Sequence, residues 1–165
     1  MGYTTTPWVG FGEALAAMAG ALTGLLFVAL SVKSDVLTAS RSLSSRAAQT
    51  LVLFIISMLI AVFLVAPQPA AAPGAELLAV AAVTGMALLI LDRRAGHGSD
   101  QDMARNVEKF AKFSPNTITA VLVGVAGLTF LLKAGGGLYW LIPAAVASLV
   151  GGAVNAWLFL VRVTG

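Results

Sequence analysis

The chain has no cysteine and a single histidine among its 165 residues. Disulfide, thiol and iron–sulfur chemistry are excluded, and a structural zinc or haem site would lack its ligands. Charge is scarce too, since only 10% of residues are Asp, Glu, Lys or Arg while 59% are hydrophobic. A soluble fold of this size could not cover so much apolar surface, so the expected solvent is lipid. The apolar runs hold no histidine, no paired aspartates and no serine with a base beside it. Hydrolysis and acyl transfer need such groups, so no enzyme, no catalytic residue, no metal and no cofactor are expected. A pI near 9.7 would suggest nucleic acid in a soluble chain. Here no basic patch is interleaved with aromatics that could stack bases, and topology accounts for the charge instead.

What the chain does have is five apolar runs, at about residues 7–32, 45–66, 73–91, 115–132 and 138–161. The shortest reaches roughly 27 Å at 1.5 Å per residue, close to the ~30 Å hydrocarbon core of a bilayer. The fold class expected is therefore all-α: a polytopic membrane helix bundle of five transmembrane helices, forming one membrane domain over residues 1–165. Lys33 and Arg41 fall between the first two runs and Arg46 at the start of the second, Arg93, Arg94, Arg105, Lys109 and Lys112 between the third and fourth, and Arg162 at the end of the fifth. The alternate connections hold only Lys133. Nine basic residues against one, on alternating loops, predict an external N-terminus and a cytoplasmic C-terminus. The third run is rich in alanine, yet if it failed to cross, the five basic residues after it would lie outside. The location expected is a cell membrane, as a multi-pass protein of the bacterial inner membrane.

Helix-start chemistry marks several boundaries. Thr6-Pro7 and Ser114-Pro115 place a capping hydroxyl before a proline at the first helical position, and Pro73 opens the third run with Glu76 expected in its first turn. Gly135-Gly136-Gly137 predicts a tight hairpin that makes the fourth and fifth runs neighbours. Between the third and fourth runs, about residues 100–113 predict an amphipathic helix with Met103, Val107 and Phe110 on one face. Its Arg105, Lys109 and Lys112 would face anionic lipid headgroups at the cytoplasmic interface.

The first run carries the strongest pattern. Glu13, Ala17, Gly20, Gly24 and Ser31 fall on one stripe at 100° per residue, and Gly20 with Gly24 forms GxxxG. Small residues there favour close helix contact, read first as packing inside the bundle and second as a subunit interface. Glu13 heads the stripe a few residues below Trp8. A carboxylate at that depth is costly unless hydrated or paired. In an oligomer its copies would form an acidic ring at an external vestibule; the rival is a glutamate held by the helix dipole and interfacial water. The fifth run repeats the logic with Ala144, Ser148, Gly151, Asn155 and Arg162 within a narrow arc. Ala144 and Gly151 read as packing positions, while Ser148, Asn155, Ser31 and Glu13 are the candidates for a polar or ion path. Arg46, Thr50 and Ser57 share a face of the second run that ordinary interhelical hydrogen bonding explains.

The segment Ala21-Leu22-Thr23-Gly24-Leu25-Leu26-Phe27-Val28-Ala29-Leu30-Ser31-Val32, followed after a short polar loop by Ser45-Arg46-Ala47-Ala48-Gln49-Thr50-Leu51-Val52-Leu53, resembles a group of small actinobacterial multi-span membrane proteins. Members of that group are labelled modulators of an FtsH-type membrane protease. Lys33 departs from the asparagine expected there. The resemblance implies a membrane location and a membrane-protein partner, and includes no catalytic motif. Two functions are therefore expected of a non-enzymatic homo-oligomer in the lipid bilayer. One is a small ion pore or transport unit; the other is an accessory protein acting on a membrane partner.

Overall fold

A computed structural model describes residues 2–32, 41–96 and 115–164. All regular structure among these is helical: α1 (Val9–Val32), α2 (Arg41–Val65), α3 (Ala72–Gly96), α4 (Pro115–Leu132) and α5 (Leu141–Thr164). One-turn 3-10 segments, Thr6–Trp8 and Gly137–Trp140, lead into α1 and α5. Three of the helices, over Thr6–Ser31, Ala47–Val65 and Gly137–Trp157, are long and apolar enough to cross a membrane, while α3 and α4 carry shorter apolar stretches, Ala72–Ala87 and Asn116–Leu132. The helix expected over residues 100–113, with Arg105, Lys109 and Lys112, lies outside the described residues.

Four helices form a ring in which each packs on its chain neighbour, α2 on α3, α3 on α4 and α4 on α5, and α5 returns to close against α2. Helix α1 stands outside this ring, packed along α2 and touching α5 only slightly. The N-terminus, the α2–α3 link and the α4–α5 link gather at one end, called here the hairpin end. In its half of the ring the core is apolar: Ile60 and Leu64 of α2, Leu77 of α3, Phe130 of α4 and Leu141 of α5 are all buried, with Leu138 and Trp8 beside them. Trp8 is thus inside, edge-on to Phe11 and Tyr139 with centroids 5.7 Å and 5.1 Å away, and not a lipid-facing interfacial aromatic.

Glycine sets how closely the helices approach. A Cβ on Gly127 of α4 would come within 2.8 Å of the Gly74 carbonyl oxygen and 3.0 Å of Leu78 on α3. One on Gly12 of α1 would meet Val65, Leu64 and the Ala61 carbonyl of α2, and Gly152 of α5 is covered by the Phe54 ring of α2. Backbones therefore touch at these points, as small residues permit between membrane helices.

The boundaries differ in detail from the expected ones. Thr6 is not a cap: it lies within the 3-10 turn, whose N-cap residue is Thr5, and Thr5 makes no side-chain capping bond. Pro115 does open α4, whereas α3 begins one residue before Pro73, so Glu76 falls just past the first turn. At the other end of α4 the Lys133 N–H donates to the Phe130 carbonyl and the Ala134 N–H to the Thr129 carbonyl, a Schellman closure. Lys133 holds the left-handed position, at φ 50°, that normally belongs to glycine. Lys133→Gly should relieve about 1 kcal/mol of backbone cost. Thermal unfolding in detergent should shift upward by a few degrees; a fall would show that the lysine stem offsets its own strain.

The turn that follows, Gly135 to Gly137, has three successive positive φ values of 77°, 106° and 58°. It clasps the N-terminal residues. The Leu138 N–H donates to the Gly2 carbonyl at 2.9 Å, and the Gly136 N–H reaches the Tyr3 hydroxyl at 3.3 Å. Helix α1 is therefore fixed at the hairpin end to the α4–α5 turn, and along its length chiefly to α2.

Candidate functional site

The α1 stripe faces away from the ring. Glu13, Ala17, Gly24 and Ser31 are exposed and Gly20 is half-buried. A Cβ built on Gly20 or Gly24 would meet nothing within 4 Å. The first expectation, packing inside the bundle, is corrected: among the described residues no other helix packs on Gly20 or Gly24. The packed face of α1 is instead Trp8, Gly12, Leu15, Ala19 and Leu26, all buried. Glu13 stands in the second turn of α1, near the hairpin end.

Helix α5 divides differently. Ala144 and Gly151 are buried, as packing positions should be. Ser148 is wholly buried and its Oγ lies 2.6 Å from Ser57 Oγ on α2. Each hydroxyl also has a carbonyl on its own helix, Ala145 at 3.0 Å for Ser148 and Leu53 at 3.3 Å for Ser57. The shorter contact favours a chain in which Ser57 donates to Ser148 and Ser148 donates to Ala145. Ser148 is thus engaged in holding α5 on α2, which corrects its assignment to an open polar path. Ser57→Ala or Ser148→Ala leaves the other hydroxyl its own carbonyl, so each should cost only about 0.6 kcal/mol. The double variant should cost little more than either single one, measured by unfolding in mixed detergent. Full additivity would mean that the pair is not coupled.

Beyond the serine pair the core becomes more polar. Thr50 of α2, Thr84 of α3 and Thr119 of α4 are buried, Asn155 of α5 is half-buried, and Asn116 of α4 is 7% exposed. At 1.5 Å per residue they lie roughly 18 to 24 Å from the hairpin-end helix termini, one layer contributed by all four ring helices. Among the described residues Asn116 Oδ1 is buried with no hydrogen-bond partner, and Glu76 Oε2, near the hairpin end of α3, is likewise unpartnered. Thr84, Thr119 and Asn116 belong to no polar stripe along a single helix. A layer that takes one or two polar residues from each helix has no signature along any one of them.

The ring cannot carry a path along its own axis in this state, because Leu64, Leu77, Phe130 and Leu141 fill its hairpin-end half. Among the described residues no three His, Cys, Asp or Glu side chains gather as a metal site. A cleft of about 210 Å³ opens between α1 and α5, lined by Leu22, Leu25, Leu26, Ala29, Phe54, Ala153, Ala156 and Trp157.

These features define an all-helical bundle whose long apolar helices suit a membrane. Compared with known proteins, the chain matches no protein-family model, no curated protein and no solved structure.

Proposed function

We propose that the chain is a non-enzymatic, multi-pass membrane protein that crosses the bilayer five times, with the hairpin end outside, and works as a homo-oligomer joined along the outward stripe of α1. The orientation is supported by the loop charges, nine basic residues on one side against Lys133 on the other. The observation that carries the assembly is the open face at Gly20 and Gly24, where nothing among the described residues comes within 4 Å of a Cβ. In such an oligomer the exposed Glu13 carboxylates ring the external mouth and draw cations toward an intersubunit path.

Liposome flux tests this function. Cation-favouring conductance is expected from the parent protein, falling several-fold in Glu13→Gln while the oligomer survives. The filled ring core favours a second reading, in which the α1 face receives a helix of another membrane protein and no ion passes. Absence of flux over a broad range of voltage and pH, with co-purification of a membrane partner, would replace the pore by that accessory role. Cysteines placed at Ala71 and Gly136 should react with an impermeant reagent outside, and one at Ser99 should not. Labelling at Ser99 from outside would remove the crossing of α3.

A further inference from the structure

We propose that the polar layer inside the ring is a binding site for internal water, a small cluster held near the cytoplasmic end of each subunit. The site lies within one subunit, requires neither the pore nor the membrane partner, and takes only its cytoplasmic placement from the membrane reading above.

The ring-facing stripes change character at one depth. Within about one turn Leu53 gives way to Thr50 on α2, and Val123 to Thr119 and then Asn116 on α4. On α3 Val80 gives way to Thr84 in the same direction. All of these residues are buried, so the change is not a passage from the inside of the subunit to its surface.

Asn116 decides what the layer holds. It shares a stripe of α4 with buried Thr119, Val123, Ala126 and Phe130, which turns its side chain into the ring. Among the described residues its Oδ1 has no hydrogen-bond partner, and a buried amide oxygen left without a donor is costly. Asn116 is also the second residue of α4, so its own N–H has no carbonyl four residues back in the helix and takes its partner from outside it. One residue therefore presents an acceptor and a donor at the same place.

That combination separates the candidate ligands. A cation satisfies the amide oxygen but is repelled by the positive end of α4. An anion suits the helix end and is repelled by the oxygen. Water donates to the one and accepts from the other. Each threonine hydroxyl keeps acceptor capacity beyond the one proton it donates, so the layer supplies the two to four polar partners that a buried water takes. Toward the hairpin end Leu53, Val80 and Val123 close the site. The Ser57–Ser148 pair lies beyond them and is satisfied by its own bonds. Water therefore stops at the layer.

Hydroxyl-radical footprinting of the full chain in detergent tests the site, because radicals made from bound water by a short X-ray pulse modify the side chains beside it even where bulk solvent has no access. Leu53 and Leu77 are chemically alike and both 0% exposed. Leu53 stands one turn from Thr50, whereas Leu77 belongs to the apolar core of the hairpin-end half. Leu53 should be modified several-fold faster than Leu77. Asn116→Leu, which removes the unpartnered oxygen and fills the space with an apolar side chain of similar size, should bring Leu53 down to the rate of Leu77. Thr119→Val, nearly isosteric, should lower the Leu53 rate as well and serves if the first variant folds poorly. Equal rates at the two leucines in the parent would overturn the proposal, as would a fast Leu53 that both variants leave unchanged. An unfolding midpoint that rises when chloride replaces gluconate, or potassium replaces tetramethylammonium, and does so only with Asn116 intact, would put an ion there in place of water. The footprint needs neither orientation nor assembly, so failure of the topology shows in cysteine labelling, failure of the pore in flux, and failure of the site here.

Discussion

Gly24→Leu should turn an oligomer into a folded monomer. The subunit offers no reason for the variant to unfold, since a Cβ at Gly24 meets nothing within 4 Å and the residue is exposed. Removing a glycine from a helix interior even favours the helix by up to about 1 kcal/mol. Between subunits the opposite holds, because two backbones that approach through GxxxG cannot do so past leucine. Gly20→Leu should behave alike, whereas Val83→Ala on the exposed face of α3 should leave assembly unchanged. Light scattering in detergent, read beside thermal unfolding, separates the outcomes. An unchanged oligomer in both glycine variants would end the argument for α1 as the interface; loss of folded protein would mean that α1 packs otherwise than described.

Gly127→Val should do the reverse, unfolding the subunit itself. Here the added Cβ falls 2.8 Å from a carbonyl oxygen and 3.0 Å from the Leu78 amide nitrogen, atoms of the α3 backbone that cannot rotate away. The helices must part along their contact, and overpacking of this kind costs about 3 kcal/mol or more. The expected readout is a large loss of folded yield and a lower unfolding midpoint, with Gly127→Ala intermediate. A Gly127→Val protein as stable as the parent would show that α3 and α4 do not meet here. The two glycine classes thus predict opposite phenotypes from the same chemical change.

That contrast also shows what the sequence could reveal. The helices were legible because apolar runs, prolines and glycine turns mark their ends, and α4 begins and ends where expected, at Pro115 and Leu132. Faces were less legible. On α1 the buried residues Trp8, Gly12, Leu15, Ala19 and Leu26 have the same spacing as the outward Glu13, Ala17, Gly20, Gly24 and Ser31, displaced by five residues, or about 140° around the helix. Periodicity therefore finds two stripes and cannot say which one α2 covers. The choice is made by tertiary arrangement: α1 has chiefly one neighbour, and Trp8, Gly12, Leu15, Ala19 and Leu26 face it while Gly20 and Gly24 remain open. Ser148 was misplaced for a related reason, since its partner Ser57 lies on another helix, where no spacing within α5 could reveal it.

The clasp between Gly2 and Leu138 also dictates an order of events during synthesis. Helix α1 cannot complete its contacts until the α4–α5 turn has been made, because that turn holds Gly2. The α2 surface that receives α5, with Phe54 and Ser57, must also wait. Until then α1 and α2 form a hairpin that lacks its contacts to the α4–α5 turn and to α5, an unsealed intermediate set by non-local contacts. A chain arrested before residue 133 should therefore be an early target of membrane quality control, and release of α5 should bring closure of the ring and capture of Gly2 in one late step.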